Sequence, residues 1–572
     1  MASAEFSGRP EPTHNGKTTA DAHPTPASFT RSRPDACPGA LQTHEAADGA
    51  IARVRTPGGR LTAGRLRALA TAAASYGSGV IELTSRANVQ VRGLTAETGR
   101  AFAERMAAIG LLPSATHERV RNILAGPLSG VDGRGLADVT PLVDELDDAV
   151  LARPALAELP GRFLFALDDG RGDMVPLRAD VTLLPIPASA PAPAPPGDSQ
   201  QQDPAPPGDS QRNQASVRNS QQDRATPPDL HLKQGSPGNP HSARESPENH
   251  RQDRTAVEVV LLLAGEDTGL RPGLADAVPA MVAAAEAFLA ERAAQKSGAW
   301  RITELDDGPA RITARLAANA PALRAPAFRA PATPSRLVPS LGPGVVAMAD
   351  GRAALVVLPP LGRLTSAQAH AVADVAAAGT GEIRLSPWRG IVIPGVPAAD
   401  AGAWMSRLAA MGLGTEPGSP WAGVTACAGR PGCAKSLADV QADAAYATLR
   451  AAHHAGPTPA AKDGPLPAAQ SRQHPAAHDQ PFPSDQGHPP PTDQGHPVPA
   501  DQTDPLSADR GHPLPVHWAG CERRCGRPAG PAVLVIATGD GYRIDSTGQA
   551  GHHTDLDATA AAITSARSAL VR

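Results

Sequence analysis

Aromatic residues make up only 3% of this 572-residue chain. No apolar run reaches the roughly 20 residues that a membrane-spanning helix needs; stretches such as 259–264 are strand-sized. Charge of one sign is also missing. With 53 Lys and Arg against 57 Asp and Glu, the net charge is −4, which leaves no electrostatic footprint for nucleic acid. The N-terminal stretch carries Ser, Thr and Pro but no apolar h-region, so the expected location is the cytoplasm and not a membrane. No G-x-G-x-x-G fingerprint follows a strand pattern, so no dinucleotide site is expected. Five cysteines in 572 residues are too few for a disulfide framework.

Four of those five form two tight pairs, Cys427-x5-Cys433 and Cys521-x3-Cys525, each bounded by Gly and Pro. A 4Fe-4S cluster needs four thiolates converging on one cube, and two short-spaced pairs on loops supply them with little backbone strain. A structural zinc site is the bland alternative. Zinc usually takes knuckles of C-x2-C to C-x4-C, which an x5 spacing fits poorly. A redox enzyme holding a 4Fe-4S cluster is therefore the leading expectation.

Three stretches are too polar and Pro-rich to bury a core and are expected to be disordered: 1–34, 188–255 with its repeated PPGDSQ, and 453–513 with its repeated DQGHP. Outside them, Gly59-Arg60-Leu61-Thr62 opens an Ala-rich helix pattern, followed by a strand at 80–83, a polar turn and a strand from 89. Gly362-Arg363-Leu364-Thr365 opens the same order, with strands at 383–385 and 391–393. The shared GRLT and element order argue duplication. Neither unit alone can cover both faces of its sheet, so the copies are expected to pair.

A basic constellation follows the first copy: Arg86 and Arg92, Arg119 and Arg121, then Arg162; the second copy holds Arg384 and Arg389. Arginines at strand ends and turns suit bidentate recognition of carboxylates, and several together would cradle a polyanion. Solvated arginine is the alternative for each one singly.

With these motifs in view, the chain resembles the nitrite/sulfite reductase superfamily, built from duplicated ferredoxin-like halves and siroheme-type α/β modules. The two cysteine pairs match its cluster motif. Thr84, Arg86 and Gln90 match its T-x-R-x-x-x-Q turn, Arg121-Asn122 its R-N segment, and Arg162 the first basic position of its LP-x-K-F-K stretch. Within the superfamily the chain is most similar to the precorrin-3B synthase family, on the R-x-x-x-C-P-G motif at 33–39, T-x-R-A-N-x-Q-x-R-G at 84–93 and T-G-D-G-Y at 538–542. The resemblance implies an α+β fold: duplicated ferredoxin-like half-domains forming one pseudo-symmetric domain, plus two siroheme-reductase-type α/β lobes, with long disordered inserts. The implied boundaries are 35–107 and 336–412 for the halves, 108–187 with 256–335 for the first, tetrapyrrole-binding lobe, and 413–452 with 514–572 for the iron–sulfur lobe.

The activity so implied is an oxygenase of aerobic cobalamin synthesis that hydroxylates precorrin-3A with O2 and closes a γ-lactone. Electrons would reach it from NADH through an external donor chain. The implied cofactors are the 4Fe-4S cluster on Cys427, Cys433, Cys521 and Cys525 and a mononuclear non-haem iron. That iron's ligands are not legible among His44, His117, His370, His517, His552 and His553. Arg86, Asn88, Arg121, Asn122, Arg162 and Arg389 are the implied substrate contacts. Cys37 is the candidate catalytic thiol, although a small residue before a Pro-Gly turn needs no chemistry. Two alternatives stand beside this: a siroheme-dependent sulfite or nitrite reductase, and an iron–sulfur electron carrier. One departure separates the first two readings. The reductases carry a second lysine where this chain has Leu164, and an aliphatic side chain can neither donate a proton nor stabilise a bound anion.

Overall fold

The repeated threonine of GRLT plays the same part twice. Thr62 ends one strand and caps the next helix by accepting the Arg65 N–H, and Thr365 does so for Gln368, whose side chain returns the bond. In the computed structural model, which describes Asp35 and residues 37–187, 257–319, 341–454, 514–528, 530–546 and 549–568, these caps start two equivalent helices. The low-complexity stretches of the sequence lie outside the described residues, except that His453 and His454 end a helix.

The first half runs β1 (Ala50–Val54), β2 (Arg60–Thr62), α1 (Ala63–Tyr76), β3 (Val80–Leu83), β4 (Val89–Leu94) and α2 (Ala96–Ala108). The first lobe follows: β5 (Ile123–Ala125), α3 (Thr140–Leu151), β6 (Phe165–Leu167), β7 (Val181–Pro187), β8 (Val257–Leu263), β9 (Glu266–Asp267), α4 (Ala277–Ala294) and α5 (Gly308–Asn319). The second half is β10 (Gly344–Ala347), β11 (Ala353–Val357), β12 (Arg363–Thr365), α6 (Ser366–Ala377), β13 (Glu382–Leu385), β14 (Ile391–Val396) and α7 (Ala401–Ala410). The second lobe completes the chain with β15 (Val424–Ala426), α8 (Val440–His454), β16 (Val516–Ala519), β17 (Val533–Ala537), β18 (Tyr542–Ser546), β19 (Gln549–His553) and α9 (Leu556–Ser568).

The halves exchange their GRLT strands. β12 joins the first half's antiparallel sheet, in the order β1-β4-β3-β12, while β2 joins the second half's sheet, β10-β11-β14-β13-β2. Leu364 therefore faces Ile81 and Leu61 faces Ile383 across the two seams. All four are buried in one shared core. Arg60 pairs with Glu382 at 3.2 Å and Arg363 with Glu82 at 3.5 Å, repeating the exchange in charge. Alanine-rich faces let α1 and α6 pack together over the seams, and Ser366 Oγ donates to the Ala70 carbonyl at 3.0 Å.

Each lobe is a five-stranded mixed sheet, β5-β6-β7-β8-β9 and β15-β16-β17-β18-β19. In both, the first three strands are parallel and the last two antiparallel to each other. Parallel strands buried on both faces read as unbroken apolar runs, as in β5 and β6. No helix among the described residues is long and apolar enough to cross a membrane.

The exchange requires glycine at 59. Its φ is +69°, and a Cβ there would meet the Leu385 carbonyl oxygen at 2.1 Å. Gly59→Ala is therefore expected to cost about 2 to 3 kcal/mol, read as a drop in denaturant midpoint. Gly64→Ala, inside α1 with its nearest neighbour 4.0 Å away, is expected to be neutral or stabilising by up to about 1 kcal/mol. Equal midpoints for the two variants would remove the seam from the account.

Candidate functional site

The cysteine pairs lie at the same end of two neighbouring strands. β15 and β16 run parallel with Ala426 beside Trp518, so Cys427 and the loop of Cys521 leave the sheet at one edge. The Cys427 N–H donates to the Trp518 carbonyl at 2.9 Å, and the Gly520 N–H donates to Cys427 Sγ at 3.2 Å. The Leu437 N–H closes on the Gly520 carbonyl at 2.8 Å and fastens the Cys433 loop to the Cys521 loop. Gly520 has no room for a side chain, because a Cβ would fall 1.9 Å from Ser436 Oγ.

All five cysteines are free thiols. Burial raises the Cys427 thiol's pKa, with Cys525 and Cys521 near enough to raise it further. An all-thiol donor set with a backbone N–H aimed at sulfur fits a 4Fe-4S cluster. Among the described residues, no three of these sulfurs lie within 4.8 Å of one another. A four-thiolate zinc site, with Zn–S bonds of about 2.3 Å, would draw them closer than that.

Both halves reach this edge. Arg92 makes a two-pronged ion pair with Asp48, at 2.9 and 2.8 Å, and donates to the Gly432 carbonyl at 2.6 Å, one residue before Cys433. Arg389 occupies the equivalent turn of the second half. Its φ of +62° repeats the +52° of Ala87. A Cβ on Gly526 would lie 3.9 Å from the Arg389 guanidinium, so this arginine stands beside the Cys525 loop.

A second constellation surrounds Cys37. Arg86 donates to the Gly161 carbonyl at 2.9 Å; burial pushes its pKa down to about 10, helped by the nearby charges of Arg301 and Arg53. Arg55 is 2% exposed and donates to the Arg119 carbonyl at 3.3 and 3.2 Å. Its Nη1 is buried without a hydrogen-bond partner, and burial, then Arg53 and Arg86, push the group down to about 9. Arg53 holds Gln90 at 2.8 Å and is lowered by burial and by Arg162. Arg162 itself is exposed and stacks 5.0 Å from the Trp300 ring. Guanidiniums lowered by burial and by neighbouring arginine charges, one with an unfilled donor, form a site ready for an anion. The Cys37 thiol is raised by burial and then by Asp35, whose carboxylate accepts the Cys37 N–H at 3.0 Å. Glu118 anchors the next residues by accepting the N–H groups of Ala40, Leu41 and Gln42.

Other residues singled out from the sequence are committed to protein partners. Arg121 forms a bidentate pair with Asp147 of α3, at 2.7 and 2.6 Å, and its side chain is 6% exposed. Asn88 donates to Asn122 Oδ1 at 3.1 Å and accepts the Thr56 N–H; Asn122 donates to the carbonyls of Arg119 and Gly161. These three brace the loops that carry Arg86. Leu164 packs in the core shared by the halves, with its N–H on Asp180 at 2.9 Å. Sequence motifs do not single out Arg53 and Arg55. Their i, i+2 spacing puts both on one face at the end of β1, and that is the signal that could have found them.

Among the described residues no three histidines gather. His44 bridges to Ile51, His117 Nε2 bonds the Arg153 carbonyl, and His552 pairs with Asp540. Among the described residues the one close group of potential metal-binding side chains is Asp168, Asp169 and Asp173, after β6. Burial and mutual repulsion push Asp169 up to about 6 and Asp173 up to about 8, although Arg171 opposes both.

Comparison with known proteins matches residues 44–109 and again 346–411 to the Nitrite/Sulfite reductase ferredoxin-like half domain. The chain is 36% identical over 138 residues to a precorrin-3B synthase of Sinorhizobium sp, covering 24% of this chain and 29% of that protein. It is 35% identical over 131 residues to a ferredoxin–nitrite reductase of Synechococcus elongatus, covering 22% and 26%. Both matches thus span less than a third of the relative's length. Among solved structures, the Mycobacterium tuberculosis NirA protein superposes with a TM-score of 0.57 at 19% identity, over 87% of this chain and 74% of that one, a likeness of fold. The two stretches matched to the half-domain model are the two halves that exchange their GRLT strands.

The carboxylate trio gives a pH prediction. A carboxyl whose folded pKa is raised from 3.8 to about 8 favours the fold below its unfolded value, and that advantage is lost as pH rises toward 8. Asp173→Asn, which stays neutral, is expected to melt above the wild type in chelated buffer, by a margin that grows from pH 4 to 8 and then levels. A margin independent of pH would contradict the burial of that charge.

Proposed function

We propose that this chain is an oxygenase acting on a carboxylate-fringed modified tetrapyrrole, with the reaction of precorrin-3B synthase. One atom of O2 enters precorrin-3A at a meso carbon, an acetate side chain closes a γ-lactone, and the second oxygen leaves as water with two electrons and two protons. The relative of that name, the Cys37 motif and the arginines around it support the reading. The observation that carries it is Leu164. Its side chain lies in the apolar core and its backbone is tied to Asp180, so residue 164 presents no cation at the position that matches the reductases' second lysine.

The chain's own residues would divide the work. Arg53, Arg55, Arg86 and Arg162 would hold the acetate and propionate groups by charge-assisted bonds. Cys427, Cys433, Cys521 and Cys525 would hold a 4Fe-4S cluster, which supplies electrons one at a time when bound. Arg92 and Arg389 would keep the two turns of the duplicated domain against the cysteine loops. Electrons would arrive from NADH through a separate protein. The second reading, a siroheme-dependent nitrite reductase, draws on the ferredoxin–nitrite reductase relative at nearly equal identity.

Incubating anaerobically purified protein with precorrin-3A, a chemical reductant and 18O2 tests the choice. The expected product carries one labelled oxygen. Unlabelled precorrin-3A together with siroheme absorption and nitrite reduction would establish the second reading instead. Arg86→Ala is expected to weaken tetrapyrrole binding by roughly ten- to 150-fold, the equivalent of about 1.5 to 3 kcal/mol, with the protein still folded. Unchanged affinity in a fluorescence-quenching titration would take Arg86 out of the cradle.

A further inference from the structure

His517 lies within β16 and is fully buried, yet both ring nitrogens are engaged. Nε2 sits 3.0 Å from the carbonyl oxygen of Cys525, and Nδ1 sits 2.9 Å from Thr425 Oγ1 on the neighbouring strand β15. A carbonyl can only accept, so Nε2 carries the proton and the Cys525 oxygen sets the tautomer; Nδ1 is then left to accept from the Thr425 hydroxyl, for which the Val516 carbonyl at 3.3 Å is the longer alternative. The next residue, Gly526, has φ +86°, and a Cβ there would stand 3.5 Å from His517 Cε1. The imidazole thus lies under the Cys525–Gly526 peptide, holding its oxygen against the sheet. Cys525 itself is the most exposed of the four paired cysteines.

In a trans peptide the C=O and N–H point opposite ways. With the oxygen held by His517, the N–H of Gly526 is turned away from the imidazole. Released, the peptide could swing its negative end toward the Cys525 sulfur. A carbonyl dipole close to a thiolate-bound cluster disfavours adding an electron, and hydrogen bonds and dipoles near the sulfurs are among the main determinants of cluster potential.

We propose that His517 is a positioning residue for the cluster: by holding the Cys525 carbonyl against the sheet, with its other ring nitrogen supported by Thr425, it raises the cluster's reduction potential and sets its spectroscopic signature. The proposal rests on Cys427, Cys433, Cys521 and Cys525 being the cluster ligands. It extends that reading to residues that touch no iron, and it applies to an oxygenase or a reductase alike.

The test uses full-length protein reconstituted anaerobically, with iron and sulfide measured for every sample and the midpoint potential read by EPR-monitored titration per loaded cluster. His517→Ala is expected to shift the midpoint to a more negative value and to change the g-values of the reduced cluster. His517→Gln, whose amide can still donate to the carbonyl, should recover most of both. Thr425→Val, nearly isosteric, should shift the midpoint in the same direction by less, and it keeps the test open if the alanine variant does not fold. Loss of loading alone is what a merely structural histidine would give. Loaded His517→Ala or Thr425→Val protein with the wild-type midpoint and g-values overturns the proposal and leaves the ligand assignment standing. A wild-type protein that takes up no iron and sulfide overturns both.

Discussion

The exchange of one short strand between two copies of a repeat is the constraint on which the rest of this structure depends. β2 completes the second half's sheet and β12 the first's, so neither half has a complete sheet without the other. The exchange buries Leu61, Ile81, Leu364 and Ile383 together and sets the crossed ion pairs of Arg60 and Arg363. It also fixes the two equivalent turns, at 84–88 and 386–390, whose left-handed residues Ala87 and Arg389 break the strands in the same way. Such a seam is cooperative, because loosening either strand exposes apolar surface in both sheets.

The two turns then take up different chemistry. The first carries Arg86 toward the loop of Gly161 and, through Arg92 in the next strand, grips the Cys433 loop. The second carries Arg389 to the Cys525 loop. A duplicated scaffold thus serves as a rigid bracket between a cationic region around Cys37 and a thiol-lined edge of the second lobe. The two regions differ in charge balance. Arg121 and Arg92 each have a bidentate carboxylate and are structural posts, whereas Arg53, Arg55 and Arg86 are lowered first by burial, and Arg55 further by the charges of Arg53 and Arg86, which marks where an incoming anion would be welcome.

Much of this is legible in the residues. GRLT announces the duplication because each of its four positions has a distinct local role, from a glycine at positive φ through a cross-half ion pair and a buried seam residue to a helix cap. The apolar patterns that begin at 89 and 391 stop three residues short of the strands, since Arg92, Gly93, Pro394 and Gly395 interrupt them while the ladder continues to Leu94 and Val396. β1 and β11 leave no sequence signal of their own. They are five residues long, and β11 is uniformly apolar, which periodicity alone does not assign. Cysteine spacing yields two pairs but cannot say that β15 and β16 are neighbours. Nor can it say that Asp147 claims Arg121, or that a histidine in an apolar strand reaches the backbone of Cys525, because those partners are 26 and 8 residues away along the chain.

The central claim is that the paired cysteines form one centre, and its most direct test is metal content. Anaerobically purified wild-type protein should contain about four iron and four acid-labile sulfide per chain, with the EPR signal of a reduced 4Fe-4S cluster. Replacing any one of Cys427, Cys433, Cys521 or Cys525 by Ser should abolish or alter that signal, and Cys37→Ser should leave it intact. Stoichiometric zinc without sulfide, or a full cluster that persists after Cys521→Ser and Cys525→Ser together, would contradict the account.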